Sequence, residues 1–181
     1  QRLEPLLKEV GVWDTYMAEC AASPAFAQMA HYGMPVNEMV LINVIQQYEA
    51  AYQDLVNKLG ATFPLAVSHL YSTKELPKLI NAKFKLKLKQ VNAETLSKYW
   101  EVSELRLISV IKTTKTYLDY LHNLLEALRD GYVRGSYTQI NRAAFGRSSC
   151  QNPNLQNPPN PSNFPPELEV YNLPPIRAVF V

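Results

Sequence analysis

The sequence predicts a mainly α-helical fold, with a long antiparallel helical hairpin, a smaller tip subdomain and a few short strands. Two observations predict this architecture. Apolar residues recur every three or four positions over residues 38–59 and again over 104–130, which is the pattern of amphipathic helices. From residue 151 onward the chain is rich in proline and asparagine and has no long periodic segment, so the helical region ends before that point.

Composition excludes several classes of protein without identifying a function. The chain has 181 residues, of which 47% are hydrophobic and 19% charged, and its net charge of +2 does not indicate nucleic-acid binding. Cys20 and Cys150 lie far apart without a metal-ligand spacing, which favours a reducing, intracellular compartment. His31, His69 and His122 likewise show no ligand spacing. No apolar run reaches spanning length and no signal-peptide layout is present, so no membrane partner is expected.

The first predicted helix covers residues 14–32. Asp14 is placed to cap its start, and Gly33 is placed to end it. Pro24 interrupts the pattern and predicts either a kink or two consecutive helices. Asn37 is a suitable N-cap for the long helix that follows.

Two longer patterns define the hairpin. Gly60 predicts the end of the first long helix, and Ser103 and Gly131 predict the two ends of the second. Asn92 predicts the start of a short helix between them. Helices of similar length with one apolar stripe each are expected to pack antiparallel. The predicted core positions are Leu41, Val44, Ile45, Tyr48, Ala51, Tyr52, Leu55, Val56 and Leu59 in the first helix, and Leu107, Ile108, Ile111, Leu118, Leu121, Leu125 and Leu128 in the second.

The predicted tip, residues 61–102, contains an alternation of lysine and hydrophobe over residues 83–89. A period of two predicts an extended strand with its lysines on one face. Two interpretations of Lys83, Lys85 and Lys87 stay open. They protect a strand edge from pairing with another chain, or they contact the phosphates of a nucleic acid.

The polar run of residues 145–158 is the most informative stretch. It places one guanidinium, serine hydroxyls and several side-chain amides together with little apolar content. Burial would require a hydrogen-bond partner for each of these groups, so the run predicts an exposed surface rich in donors and acceptors. Pro153 and Pro158 restrict the backbone and reduce the freedom that is lost on binding.

The order of residues in this run resembles the palm-entry motif of family A (bacterial DNA polymerase I-like) DNA polymerases, T-G-R-L-S-S-x-x-P-N-L-Q-N-x-P. Phe145 and Ser148 stand where Thr and Leu are usual. A low-complexity Asn/Pro linker would account for the composition but not for the order of residues. The matching positions are Gly146, Arg147, Ser149, Pro153, Asn154, Leu155, Gln156, Asn157 and Pro159.

Further matches flank this motif. Residues 112–121 resemble the family's K-L-K-S-T-Y-I-D-x-L, where the resemblance implies that Lys115 and Thr116 contact phosphates. Residues 174–181 resemble I-R-x-A-F-V, which implies a strand about to enter the palm sheet. Matches to the end of the exonuclease-like region are Glu19, Pro24, Met29, Gly33, Met34 and Val36, and matches to the short strands before the motif are Ser136, Tyr137 and Gln139.

The resemblance implies an organisation and a partner. Residues 1–36 would end the exonuclease-like region, 37–131 would form the thumb, and 132–181 would begin the palm. The implied partner is primer–template DNA, with Arg147 in the minor groove at the primer end and the amides of the motif beside it. The candidate DNA-binding residues are Arg147, Ser149, Asn154, Gln156, Asn157, Lys115, Thr116, Lys83, Lys85 and Lys87.

Catalysis is expected to come from outside these residues. In the family the catalytic aspartates follow the I-R-x-A-F-V motif, and Glu167 and Glu169, set among prolines, do not replace them. The expectation is therefore no catalytic residue, metal ligand or bound cofactor here, and no activity from this chain alone. A companion chain or a C-terminal palm and fingers segment would supply the sites for Mg²⁺ and dNTP. The alternative is a non-catalytic module, which either binds nucleic acid by itself or docks another subunit.

Overall fold

The structure is a computed structural model that describes residues 3–138, 148–159 and 165–181. The described part is mainly helical, as the sequence predicts. None of its helices combines the length and apolar character needed to cross a membrane. The helices are α1 (Leu3–Glu9), α2 (Trp13–Tyr32), α3 (Glu38–Thr62), α4 (Val67–Leu70), α5 (Glu75–Phe84), α6 (Ala93–Ser97), α7 (Ser103–Ala127) and α8 (Pro166–Glu169), and a 3₁₀ helix covers Ile176–Val179.

The chain divides into two compact units. The helical unit contains residues 40–122 and 159–178, and the sheet unit contains residues 1–39, 123–158 and 179–181. The strands are β1 (Met34–Pro35), β2 (Leu128–Arg129), β3 (Tyr132–Val133), β4 (Ser136–Thr138) and β5 (Ser149–Gln151).

In the helical unit, α3 and α7 run antiparallel, which confirms the predicted hairpin. Near the middle of both helices, the rings of Tyr48 and Tyr117 meet edge to face with their centroids 6.3 Å apart. At one end, the Lys83 ammonium donates to the Thr62 carbonyl at 2.6 Å and lies 3.3 Å from the Glu104 carboxylate. Because Thr62 ends α3 and Glu104 lies in the first turn of α7, the two chain directions are opposed.

The periodicity predicts most of the core of this unit. Every predicted core position of α3 is buried except Tyr52 and Val56, which are half-buried. In α7 the buried face is wider than the predicted stripe, because the tip and residues 165–178 also contact this helix through Lys112 and Arg106. Three predicted positions, Leu107 and Leu125 in α7 and Leu128 in β2, are only half-buried. The buried residues of α7 that the stripe omitted are Leu105, Val110, Thr114, Tyr117 and Leu124.

Two predicted helix ends are wrong. Helix α3 continues through Gly60 to Thr62, since a single glycine costs a helix only about 1 kcal/mol. Helix α7 ends before Gly131, and β2 and β3 then pair as a hairpin. The turn residues Asp130 and Gly131 have φ values of 54° and 79°, and Asp-Gly is a preferred pair for a two-residue turn in this conformation.

In the tip, the strand predicted at residues 83–89 is wrong. Helix α5 extends to Phe84, and Lys85 ends it in the left-handed conformation, with φ of 54°. Asn81 then hydrogen-bonds the backbone of Leu88 twice: its Nδ2 donates to the carbonyl at 2.9 Å, and its Oδ1 accepts from the backbone N–H at 2.8 Å. A side chain thus satisfies the groups that a strand partner would have satisfied. The predicted cap of α6 is confirmed, because Asn92 Oδ1 accepts from the backbone N–H of Thr95 at 2.7 Å.

Residues 165–178 pack along the hairpin within the helical unit. Leu168 is fully buried, and the neighbouring Glu167 accepts from Nε of Arg106 at 2.7 Å. Farther along, the Tyr48 hydroxyl donates to the carbonyl of Pro174 at 3.1 Å. This segment therefore contributes to the core of the helical unit although it follows the hairpin in sequence.

In the sheet unit, α2 is one helix with Pro24 inside it, so the alternative of two helices is wrong. The predicted cap at Asp14 is also wrong, because this residue lies in the first turn and Val12 occupies the cap position. Gly33 ends the helix as predicted, with φ of 76°. A Cβ on Gly33 would lie 2.7 Å from the carbonyl oxygen of Val133, so the close approach of β3 also requires glycine there.

The strands of this unit form two small antiparallel sheets, with orders β1-β3-β2 and β4-β5. The predicted strand at 174–181 is largely wrong, because residues up to Val179 form the 3₁₀ helix. Only Phe180 makes a bridge, opposite Val36. The N–H of Asn37 donates to the carbonyl of Val179 at 2.9 Å, which joins the end of the chain to the residues after β1.

Candidate nucleic-acid interface

The described part of the polar run, residues 148–158, includes a strand of the sheet unit. Strand β5 pairs with β4 in a register that places Ser149 opposite Thr138 and Cys150 opposite Tyr137. Beyond β5 the chain is irregular through residues 152–159. Ser149, a predicted contact, is half-buried on this strand, so the sheet holds residues 149–151 of the run.

Buried residues anchor the irregular part. Cys150, Pro153 and Leu155 are buried, and the thiol of Cys150 donates to the carbonyl of Pro153 at 3.4 Å. A Cβ on Gly135 would lie 2.5 Å from Sγ of Cys150 and 3.0 Å from the carbonyl oxygen of Pro153. Only glycine therefore fits at position 135 without a shift of its neighbours. Spacing in the sequence does not reveal this residue, because its partners are remote in sequence.

The amides between and beyond these anchors are exposed. Asn154, Gln156 and Asn157 all face solvent; we call residues 154–157 the amide segment. Asn154 Oδ1 accepts from the backbone N–H groups of Gln156 at 3.1 Å and of Asn157 at 3.2 Å. This local turn fixes the backbone that presents the other two amides.

One contact joins the amide segment to the start of β5. Nε2 of Gln156 donates to Oγ of Ser148 at 2.9 Å. Residues 148–159 contain no charged side chain, so this surface offers neutral donors and acceptors. Such groups suit the edges of bases and sugars, whereas attraction to phosphates requires positive charge.

Arg147 and Gln139 lie outside the described residues. The predicted contact of Arg147 with the minor groove therefore stays a prediction. The structure brings together Asn154, Gln156 and Asn157. Ser149 lies in β5, directly after Ser148, which Gln156 contacts.

The tip lysines differ in their surroundings. Lys85 and Lys87 are exposed and form no ion pair with any described residue. Lys83 instead spans Thr62 and Glu104, and its ammonium lies 4.5 Å from the centre of the Phe63 ring. The structure thus gives Lys83 a role in joining the two hairpin helices, while Lys85 and Lys87 present their charge to solvent.

On α7 the two predicted phosphate contacts lie at the surface but interact within the helix. The ammonium of Lys115 pairs with the carboxylate of Asp119, and the hydroxyl of Thr116 donates to the carbonyl of Lys112 at 3.0 Å. Burial lowers the pKa of Lys112, whose ammonium donates to the carbonyl of Val91 at 3.1 Å. Because the Lys115 ammonium already pairs with Asp119, a phosphate near Lys115 would compete with that carboxylate for the same positive charge.

The implied Mg²⁺ has no site among the residues described. Three or more His, Cys, Asp or Glu side chains do not cluster anywhere in that part of the chain. Hard divalent cations require several oxygen ligands together, so these residues do not fit the ion.

No protein-family model matches the chain. Its sequence is 31% identical over 148 residues to DNA polymerase I of Aquifex aeolicus (strain VF5). The aligned region covers 78% of this chain and 25% of that protein. Its fold is similar to that of the POL domain of Pol1 from M. smegmatis, solved in complex with DNA primer–template and dNTP. That similarity has a TM-score of 0.74 at 20% identity and covers 89% of this chain and 30% of the other. The chain thus spans a quarter to a third of the length of each.

Proposed function

Because the chain belongs to the DNA polymerase I family (family A) over the residues that align, we propose that it binds primer–template duplex DNA for a DNA-directed DNA polymerase. The observation that carries the proposal is the exposed amide segment, held in place by the buried side chains of Pro153 and Leu155. In this proposal residues 37–131 are the thumb and residues 132–181 begin the palm.

The chemistry of the amide segment suits a duplex whose sequence varies. Minor-groove acceptors occupy similar positions in every base pair. A donor aimed at them can therefore test pairing geometry without reading sequence. Gln156 and Asn157 carry such donors, and the turn at Asn154 holds them on a fixed backbone. Arg147 is assigned to the primer end by its motif alone.

The lysines of the tip would supply the salt-dependent part of binding. Lys85 and Lys87 are exposed, and cations at a protein surface attract phosphates by releasing counterions from the DNA. Lys115 would contribute where a phosphate draws it away from Asp119. In this scheme the lysines supply attraction, whereas the amides supply position.

The remaining parts of the polymerase are also proposals. The catalytic carboxylates, Mg²⁺ and dNTP would be held by residues other than those described here, on a companion chain or on a palm and fingers segment. Such a role would place the protein inside the cell, with DNA.

The test is the affinity of the chain for a labelled primer–template duplex, measured by fluorescence anisotropy. Gln156→Ala and Asn157→Ala should each weaken binding by about 2- to 10-fold, the usual effect of one lost hydrogen bond. The control is Gln53→Ala, which removes an exposed amide from α3 and should leave affinity unchanged.

Arg147→Ala gives a second test in a polymerase that contains this chain. Primer extension should fall much more than duplex affinity, because the predicted contact is at the primer end. Equal losses in both assays would contradict that role. Tight duplex binding that no amide substitution changes would favour the free-standing nucleic-acid-binding module instead.

A further inference from the structure

An open recess of about 490 Å³ lies in the sheet unit, between the end of α2 and strand β3. Its lining includes His31, Tyr32, Tyr132 and Arg134. Tyr32 and Tyr132 are 66% and 42% exposed. Large aromatic groups that cluster at a surface mark binding sites more often than single exposed ones do.

Arg134 is held in place by its surroundings. Its Nε donates to the carbonyl of His31 at 2.8 Å, and its guanidinium carbon lies 5.7 Å from the centre of the Tyr132 ring. A Cβ on Gly33 would lie 2.8 Å from Cγ of Arg134, so the stem of the arginine occupies space that glycine leaves open. The guanidinium is therefore oriented before any ligand binds.

Strand β3 directs the aromatic and cationic groups to one side. Tyr132 in β3 and Arg134, directly after the strand, are exposed, and Val133 between them is fully buried, as the alternation of extended backbone requires. Arg129 is paired directly with Tyr132 across β2 and β3, which places both side chains on the same face. Asp130, in the turn between β2 and β3, places a carboxylate next to Arg129 in sequence.

We propose that this recess binds one unpaired nucleotide of a DNA strand. The base would stack on Tyr32 or Tyr132, and its phosphate would pair with Arg134. The volume lies within the range of small-ligand sites, roughly 300–1,000 Å³. Aromatic rings and guanidinium planes stack on bases that are free of a duplex, whereas a base inside a duplex already stacks on its neighbours.

The choice of DNA rests on the proposed function, while the recess itself does not. Arg134 directly precedes Gly135, which packs against Cys150 and Pro153 at the base of the amide segment. The stacking residues and the proposed duplex surface therefore belong to one connected part of the sheet unit. An unpaired strand that continues from a bound duplex would meet both surfaces.

The experiment compares a labelled short oligothymidylate with a labelled blunt duplex, both titrated with the chain. At least one of the variants Tyr32→Ala and Tyr132→Ala should weaken oligothymidylate binding by roughly 5- to 150-fold, the range for one lost stacking contact. Duplex affinity should not change. Tyr132→Phe keeps the ring and should keep binding. Tyr16→Ala, an exposed tyrosine on α2 outside the recess, is the matched control.

Several results would overturn the proposal. Unchanged oligothymidylate affinity in both alanine variants would exclude stacking, as would an equal loss in Tyr132→Phe. Tighter binding of oligouridylate than of oligothymidylate would overturn the assignment to DNA. The two proposals fail separately, since Gln156→Ala tests only the duplex surface and Tyr132→Ala only the recess.

Discussion

The side-chain oxygen of Asn154 lies 3.1 Å from the backbone nitrogen of Gln156, so one amide of the exposed segment fixes the backbone that presents another. The same oxygen accepts from the N–H of Asn157 at 3.2 Å. The segment is thus ordered before DNA binds, and less conformational entropy is lost on binding.

Asn154→Ala should lower both stability and duplex affinity. The substitution removes the acceptor of two backbone hydrogen bonds, and we expect a loss of about 1–2 kcal/mol in the free energy of unfolding. Asn154→Asp keeps the acceptor and should keep stability, but its negative charge should weaken duplex binding. Denaturant unfolding and anisotropy on the same samples check both effects. Equal stability of the alanine and aspartate variants would contradict the role of this turn.

The tip lysines should separate into two classes. Lys85→Gln and Lys87→Gln should each reduce the slope of log affinity against log salt by about 0.9 where the lysine contacts one phosphate. Lys83→Gln should instead lower stability, because its ammonium contacts Thr62 and Glu104.

Salt titrations of duplex binding and thermal unfolding distinguish these classes. Lys8→Gln serves as the control, since Lys8 pairs with an exposed carboxylate on α1 and such pairs contribute little. An unchanged slope in both Lys85→Gln and Lys87→Gln would show that the tip does not contact phosphates.

The hairpin and the exposure of Asn154, Gln156 and Asn157 could be predicted because their signals are local. Apolar spacing identified buried residues such as Leu41 and Leu55, and the amide-rich composition between residues 154 and 157 excluded burial. The cap at Asn92 was likewise predicted from a residue type with a strong positional preference.

The strand predicted at 83–89 is wrong, and Gly135 was not predicted, because side-chain contacts that the local pattern does not encode decide the conformation there. The alternation at 83–89 has the period of a strand, but the side chain of Asn81 hydrogen-bonds the backbone N–H and carbonyl of Leu88. The fit of Gly135 against Cys150 depends on the pairing of β4 with β5, and spacing alone does not reveal it. Specific side-chain contacts therefore override local pattern at both places.

Asp54 should make stability depend on acid pH. Hydrogen bonds from Lys58 and then from the Tyr171 hydroxyl lower the pKa of its carboxyl. Because the pKa is lower in the folded state than in the unfolded state, this contribution is present above the unfolded pKa and is lost as pH falls through the folded pKa.

Asp54→Asn should therefore flatten the fall of the melting temperature at acid pH, and Tyr171→Phe should flatten it less. Thermal unfolding at a series of pH values measures the effect. Asp14→Asn, at an exposed position in the first turn of α2, is the control. A curve for Asp54→Asn that parallels the unsubstituted chain would contradict the assignment.

Two glycines should respond to alanine in opposite directions. Gly60 lies inside α3 with no atom within 4 Å of the position of an added Cβ, so Gly60→Ala should stabilise the chain by about 0.5–1 kcal/mol.

Gly135→Ala should destabilise the chain by about 1–3 kcal/mol, because its Cβ would lie 2.5 Å from Sγ of Cys150. It should also weaken duplex binding, since the displaced residues anchor the amide segment. Denaturant unfolding and anisotropy measure both effects, and Gly60→Ala controls for the added methyl group. A stable Gly135→Ala variant with full duplex affinity would show that the amide segment does not depend on this close approach.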